Sequence, residues 1–287
     1  MNTVLFGNGL NYFSDGFESW NSLVSNIELG KNEDHMPFTL QYESKVFEKQ
    51  TPRGDAEEHI LSDICKKFKK ISSNDFYDRL VKMQFDNYIT TNYDHAIEKA
   101  FGKAGYNKTS TTRTGKYSIR RKKEYTLLSR TANVWHIHGD VDAQSSIMLG
   151  YDFYGSYLSQ IKRYVDGAYK YENNKISISV GPLKTRLTQG IELTSWIDLF
   201  LTSNIHIIAF ALYYDEIHLW WLLIKRKKII DDLGPRFLPN KIYYYGNVEK
   251  GKKQLLECLG VEIVDYEKTP EYRKMYDYFL NEIDKRL

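Results

Sequence analysis

The sequence predicts an α/β fold built on a doubly wound parallel sheet, and three observations carry this prediction. Apolar runs of strand length alternate with helical segments along most of the chain. The segment 205–212 is the most apolar of these runs, which is typical of a strand buried on both faces of a parallel sheet. Polar and glycine-containing turns follow the early strands, where ligands of such sheets bind.

Each predicted element has a local signature. The opening strand 3–6 is a short apolar run that leads directly into a glycine turn. The helix 56–70 is amphipathic, because Ile60, Ile64 and Phe68 share one face at helical spacing. Lysines lie largely on its other face, so we expect the apolar face to pack on the core.

The remaining elements follow in a regular order. The predicted strands are 3–6, 87–91, 134–137, 205–212, 241–245 and 261–264. The predicted helices are 18–29, 42–49, 56–70, 75–82, 95–101, 152–170, 215–228, 249–259 and 271–286. The polar, basic segment 105–132 is interpreted as a hairpin excursion. Residues 1–287 are predicted to form a single domain, into which the helical stretch 31–85 is inserted as a lobe.

The composition is that of an ordinary globular protein, with 42% hydrophobic and 27% charged residues among 287. A net charge of +3 is too small to predict nucleic-acid binding, and the role of the basic cluster 113–123 stays open. Cys65 and Cys258 have no neighbouring cysteine at a metal-ligand spacing. A zinc ribbon or zinc finger is therefore excluded.

The sequence also bears on localisation. The N-terminus has no basic segment followed by an apolar run, so no signal peptide is predicted. The apolar stretch 196–224 is interrupted by Asp198, Asp215 and Glu216, and we interpret it as a buried strand followed by a helix. We therefore expect a cytoplasmic protein without a membrane partner.

The first candidate site is the turn formed by Gly7, Asn8 and Gly9 after the first strand. Glycines permit a tight turn and let the backbone approach a phosphate closely. The dinucleotide fingerprint G-x-G-x-x-G is incomplete, because residue 12 is tyrosine. Taken alone, the pattern is explained equally well by a plain turn from strand to helix.

The second candidate site follows the strand 87–91 and contains Thr91, Asn92 and Asp94. Ligands of open α/β sheets bind beyond the carboxyl ends of the strands, where asparagine and aspartate can hold ribose hydroxyls and an amide. The alternative interpretation is that Asn92 or Asp94 caps the following helix.

The third candidate site runs from His136 to Asp140 at another strand end. In a strand, His136 and His138 point to the same side, and this spacing can bind a metal. No third or fourth ligand is evident in the sequence. His138 precedes a glycine and suits a general base, since histidine titrates near neutral pH. A structural histidine is the alternative.

Taken together, a G-x-G turn, a T-x-N-x-D motif and an H-G motif, each ending a strand and in this order, resemble the sirtuin superfamily. The resemblance covers about residues 3–248 and is closest to the bacterial sirtuin-like proteins of anti-phage defence systems. There the glycine turn is commonly G-A-G-x-S, followed by a tryptophan. The corresponding positions here are held by Gly7, Asn8, Gly9, Asn11 and Trp20.

The resemblance implies a Rossmann-like fold that binds extended NAD, with Gly7 and Gly9 at the pyrophosphate. It implies that Asn92 contacts the nicotinamide ribose and positions the attacking group, and that Asp94 binds the carboxamide. His138 becomes the general base, which completes the catalytic pair with Asn92. The resemblance places further NAD-binding residues at Asn8, Asn11, Thr91, Gly139, Ala209 and Ala211.

Two departures from the family bear on these expectations. Deacetylating sirtuins carry four zinc cysteines that this chain cannot supply, so no metal is expected. The family's late G-[TS]-S turn, which holds the adenosine ribose and phosphate, corresponds here to 208–212. Ala209 and Ala211 are small enough for close approach there but offer no hydroxyl group.

The resemblance implies a hydrolase that cleaves NAD to nicotinamide and ADP-ribose, with NAD as substrate and no metal. It also implies a regulated effector of abortive infection, controlled by a homo-oligomer, a partner defence protein, or both. Two alternatives stay open. One is an ADP-ribosyl transferase, and the other is an NAD-binding regulatory or scaffold subunit whose catalysis has degenerated.

Overall fold

A computed structural model of the chain describes residues 1–17, 36–48, 52–112, 115–173, 175–266 and 271–287. The predicted helix 18–29, Trp20 and the part of the basic cluster at 113–114 lie outside the described residues.

Strands and helices alternate along the chain. The strands are β1 (Asn2–Phe6), β2 (Asn87–Thr90), β3 (Asn107–Thr112), β4 (Lys122–Leu127), β5 (Arg130–His136), β6 (Lys170–Asn173), β7 (Ile176–Ser179), β8 (Asn204–Ile208), β9 (Ile242–Tyr245) and β10 (Val261–Val264). The α-helices in the described residues are α1 (Phe38–Glu48), α2 (Arg53–Phe68), α3 (Asp75–Lys82), α4 (Ala96–Lys103), α5 (Tyr151–Asp166), α6 (Leu183–Gln189), α7 (Trp196–Thr202), α8 (Ile217–Leu233), α9 (Lys250–Cys258) and α10 (Tyr272–Asp284).

The main sheet has eight strands in the order β10-β9-β8-β1-β2-β5-β4-β3. The six strands from β10 to β5 are parallel, and the hairpin β3–β4 extends the edge antiparallel to β5. The chain passes from β1 to β2 on one side and later returns to β8 on the other, so the strand order reverses beside β1. Ligands of doubly wound sheets bind at such a switch point.

Helices cover both faces of this sheet, which confirms the predicted α/β, Rossmann-like architecture. One core joins the sheet to α3, α4 and α10 through Phe76, Phe101 and Phe279. The other core joins it to α5, α7 and α8 through Tyr157, Trp196 and Leu222. β8 is buried along almost its whole length, as its apolar sequence predicts.

Two predictions near β8 are wrong. The strand predicted over 205–212 ends at Ile208, because Ala209 and Leu212 take left-handed backbone conformations with φ of 54° and 48°. The interpretation of 196–224 as a strand followed by a helix leaves out helix α7, which Ser195 and Asp198 start with a reciprocal capping box. All residues of α7 except Thr202 are buried, so this short helix shows no alternation of polar and apolar faces in the sequence.

The hairpin β6–β7 and helix α6 were not predicted from the sequence. The hairpin β3–β4 lies in the segment 105–132, where a hairpin excursion was predicted. Helices α1, α2 and α3 lie between β1 and β2, and their grouping as an inserted lobe of a single domain stays a prediction. Within the described ranges, no helix combines the length and apolarity needed to cross a membrane.

Candidate active site

The glycine turn after β1 packs against the segment that follows β8. Gly9 donates its N–H to the carbonyl oxygen of Ala209 at 3.0 Å. A Cβ on Gly9 would lie 2.5 Å from the Tyr276 hydroxyl, and a Cβ on Gly7 would lie 2.7 Å from the Phe210 ring. Both positions therefore require glycine, because groups of the same chain approach them closely.

Asn11 links the polar ends of the first two strands. Its Nδ2 donates to Asn8 Oδ1 and to Asp94 Oδ2, each at 2.7 Å. Its Oδ1 accepts a 2.6 Å hydrogen bond from the Tyr77 hydroxyl, which lies 3.3 Å from Asn92 Nδ2. Four predicted site residues thus share one network. Tyr77, in α3, is a member that the sequence analysis missed, because no local motif marks it.

Asn92 and Asp94 are also held by backbone contacts. The Asn92 N–H donates to Thr90 Oγ1 at 3.0 Å, and its side-chain amide donates to the Gly7 carbonyl at 3.3 Å. Asp94 Oδ1 accepts the Ala96 N–H at 2.8 Å, so Asp94 makes the helix-start contact that was its alternative role. Burial raises the pKa of Asp94, because the carboxylate loses hydration.

His136, the last residue of β5, belongs to a buried ionic network. Its Nε2 lies 2.6 Å from Glu98 Oε1, and its Nδ1 lies 3.2 Å from the Asn92 carbonyl oxygen. Lys123 Nζ lies 3.3 Å from Glu98 and 2.7 Å from Asp140. Burial opposes charge on these groups, but the ion pairs outweigh it. They raise the pKa of His136 and lower that of Glu98 to about 2.

His138 belongs to a different cluster. Its Nε2 lies 3.1 Å from Nε2 of His218 and 3.3 Å from Oε2 of Glu216. Glu216 immediately precedes α8, His218 lies in the first turn of that helix, and the Tyr154 ring packs against both histidines. Burial lowers the pKa of His138 to about 3 and raises that of Glu216 well above its usual range. Burial also lowers the pKa of His218, so it favours the neutral form of all three groups.

The prediction that His136 and His138 point to the same side is wrong. β5 ends at His136, and the chain turns at Gly139, whose φ is 112°. His136 consequently contacts α4 in one core, whereas His138 contacts α8 in the core on the other face of the sheet. A Cβ on Gly139 would lie 2.3 Å from the Ser146 carbonyl oxygen, which explains the glycine at this turn.

The other predicted site residues lie along the same edge of the sheet. Thr91 is half-buried, and its N–H donates to the Phe6 carbonyl at 3.3 Å. Ala209 is half-buried beside the glycine turn. Ala211 is exposed, and its carbonyl oxygen accepts a hydrogen bond from Lys252. The NAD contacts of these three residues stay predictions.

Residues 86–180 match a family model described as a SIR2-like domain. The matched segment contains β2, β5 and both members of the predicted catalytic pair, Asn92 and His138. The chain thus combines a Rossmann-like sheet with a SIR2-like segment, and its resemblance to the sirtuin superfamily is confirmed.

Two curated relatives are similar to the chain. The NAD(+) hydrolase ThsA of Bacillus cereus is 31% identical over 170 residues, which cover 57% of this chain and 33% of the relative. The protein of the same name from Enterococcus faecium is 32% identical over 167 residues, covering 54% and 31%. The chain thus spans about a third of the length of the curated relatives that it matches.

Two solved structures align along most of the chain with low similarity. A mutant Sir2 homologue in complex with 2′-O-acetyl ADP-ribose has a TM-score of 0.36 and 9% identity, covering 99% of this chain and 92% of the other. A Sir2 homologue in complex with NAD has a TM-score of 0.37 and 10% identity, covering 99% and 89%. The assignment of the fold therefore rests on the sheet topology described above.

Proposed function

We propose that the chain is an NAD glycohydrolase that cleaves NAD to nicotinamide and ADP-ribose. The observation that carries the proposal is the position of Asn92, Asp94 and His138 beyond the ends of the neighbouring parallel strands β2 and β5. Substrates of doubly wound sheets bind at this edge. The similarity to two NAD(+) hydrolases supports the same chemistry.

The proposed reaction breaks the bond between C1′ of the ribose and the pyridinium nitrogen. The electron pair of that bond goes to the nicotinamide nitrogen, while a water oxygen forms the new bond to C1′. Asn92 orients the ribose and the water, and Asp94 holds the carboxamide. His138 takes the proton from the water and passes it to solvent. General-base help is typically worth ~10²–10⁴-fold when the pKa of the base lies near the working pH. The expectation that His138 titrates near neutral pH is not met in this buried state, where its pKa is about 3, so the proposed step also requires the site to open and rehydrate the imidazole. No metal takes part in these steps.

We also propose that the activity is regulated. The Gly9 N–H is already bonded to the Ala209 carbonyl, and the Phe210 ring covers Gly7. A pyrophosphate can therefore use the glycine turn only after residues 209–210 move. Association with another copy or with a partner protein is the proposed trigger. A role as an anti-phage effector rests on the resemblance of the motifs to that bacterial branch.

The test is product analysis after the purified full chain is mixed with NAD, alone and with the product of a neighbouring gene. We expect equal amounts of nicotinamide and ADP-ribose. Asn92→Ala and His138→Ala should each lower the rate by ~10²-fold or more. His59→Ala, on an exposed position of α2, is the matched control and should retain the native rate.

Unchanged cleavage in both site variants would overturn the proposed catalytic pair. An NAD-binding regulatory subunit is the second candidate, and it is favoured by the missing hydroxyls at Ala209 and Ala211. Tight NAD binding without turnover in the presence of the partner would identify it. Label transferred from tagged NAD to a macromolecule would instead identify an ADP-ribosyl transferase.

A further inference from the structure

The cluster of His138, Glu216 and His218 directs three potential metal ligands at one point. The two Nε2 atoms are 3.1 Å apart, Glu216 Oε2 is 3.3 Å from His138 Nε2, and one ligand atom from each residue lies within 4.8 Å of the others. In a tetrahedral zinc site with bonds of about 2.0–2.1 Å, neighbouring ligand atoms lie about 3.3–3.4 Å apart. The spacing therefore suits a small divalent cation.

Hydrogen bonds within the protein leave this cluster incomplete. Glu216 is only 8% exposed, and its Oε2 has no hydrogen-bond partner among the described residues. The facing nitrogens of His138 and His218 can share only one proton between them. A buried polar atom without a partner costs free energy, and a cation at this point would bind all three ligand atoms at once.

A second group of potential ligands, His95, Asp140 and Asp142, provides a contrast. There Lys123 Nζ lies 2.7 Å from Asp140 Oδ2 and 2.8 Å from His95 Nε2. The ammonium group already supplies the positive charge that a metal ion would bring. Among the residues that the structure describes, the ion-pair contacts of the His138 cluster involve only its own members and include no Lys or Arg.

We propose that His138, Glu216 and His218 form a transition-metal site that binds Zn²⁺. Two imidazoles and one carboxylate are a donor set that zinc accepts, with a fourth position left open. A bound ion would occupy His138 Nε2 and remove it as a base, so zinc would inhibit NAD cleavage. This inhibition rests on the proposed hydrolase function, whereas the metal site itself does not.

The test is a titration of the chelator-treated full chain with Co²⁺, followed by its d–d absorption, and then displacement by Zn²⁺. All proteins carry Cys258→Ser, because this exposed thiol is a competing ligand. We expect one ion per chain. Loss of a group that only orients a metal ligand through a hydrogen bond already weakens metal binding by ~10–100-fold, so loss of a ligand in His218→Ala or Glu216→Gln should weaken it by ~100-fold or more.

The control variant is His95→Ala, which alters the other ligand group and should leave the affinity unchanged. Thermal melting in the presence of chelator checks that each variant is folded, and added Zn²⁺ should raise the melting temperature only where the site is intact. Equal affinity in His218→Ala, or loss of binding in His95→Ala alone, would overturn the proposal.

The inhibition is measured separately, as nicotinamide release with and without Zn²⁺. We expect saturating Zn²⁺ to stop the release by the native chain. An unaffected rate at full metal occupancy would contradict the assignment of His138 as the base but leave the metal site established. A chain that binds Zn²⁺ and never cleaves NAD would refute the hydrolase proposal alone, so the two failures are distinguishable.

Discussion

His136 and His138 are only two residues apart, but they belong to two clusters that shift the histidine pKa in opposite directions. His136 faces the carboxylate of Glu98, in a network where Lys123 also contacts Glu98 and Asp140. His138 faces a second imidazole and a carboxyl oxygen without a hydrogen-bond partner. Both side chains are almost fully buried, yet the pKa of His136 is raised and that of His138 is lowered.

The difference shows that burial alone does not fix the charge of a histidine. Loss of hydration lowers the pKa of both imidazoles, and the nearby carboxylates of Glu98 and Asp140 reverse the direction for His136. The His136 network is therefore suited to hold the strand end and α4 together. The His138 cluster keeps neutral nitrogen ligands at the proposed active site.

The largest expected effect is a difference in the free energy of unfolding between the variants Glu98→Gln and Glu216→Gln. Glu98→Gln removes the carboxylate that contacts the buried His136 and leaves Lys123 paired with Asp140 alone, so the free energy of unfolding should fall by ~3–5 kcal/mol. Glu216→Gln should change it by less than ~1 kcal/mol, because Glu216 Oε2 makes no hydrogen bond to any described residue that the substitution would remove. Urea denaturation at neutral pH with chelator present measures both values. Equal losses would remove the distinction between the two clusters.

Another buried histidine, His206 in β8, lies outside both clusters and sharpens the comparison through pH. Its Nδ1 lies 2.9 Å from the Tyr245 hydroxyl, and its ring stacks on Tyr243. Burial, with a smaller contribution from Arg286, lowers its pKa to about 4. Because an unfolded histidine titrates near pH ~6.5, only the unfolded chain gains this proton as the pH falls from ~6.5 towards 4. Stability contributed by neutral His206 is therefore lost across that window.

We expect a loss of ~1–3 kcal/mol from this group between pH ~6.5 and 4. His206→Phe should flatten that part of the profile of unfolding free energy against pH. The measurement is the difference between the native and variant profiles, since carboxylates that titrate in the same range contribute to both. Parallel profiles would show that His206 is not held neutral.

The smallest expected effect concerns the segment that connects β8 to the His138 cluster. Phe210→Ala removes the ring that covers Gly7 and should favour an open glycine turn. We expect NAD to bind about tenfold more tightly, which corresponds to ~1.4 kcal/mol. Calorimetric titration with NAD measures the affinity, and Tyr213→Ala, an exposed position in the same segment, is the control. Weaker binding by Phe210→Ala would contradict a closed turn.

Much of the fold could be predicted because its signals are local. The strand 261–264 is predicted with its observed bounds, and the strands 87–91 and 241–245 are each one residue too long. The end of β8 could not be predicted, since 209–212 are apolar residues, two of which take left-handed backbone conformations that their types do not favour. The contact between Gly9 and Ala209 joins segments 200 residues apart.

The candidate site was predicted in part. The motifs identify Asn8, Asn11, Asn92 and Asp94, which one hydrogen-bonded network connects. They do not identify Tyr77, because a tyrosine on an amphipathic helix carries no signal of its own. The structure also changes the interpretation of the basic cluster 113–123. Its members Arg121 and Lys123 are buried rather than exposed to a partner.

The sequence by itself determined the alternation of strands and helices and the order of the three motifs. Both follow from side-chain periodicity and turn chemistry over a few residues. Only the tertiary structure decided what faces His138. Its neighbour His218 is 80 residues away in the chain. The turn at Gly139 and the packing of α8 bring the two rings together, and burial then lowers the pKa of both, because a charged imidazole loses hydration there.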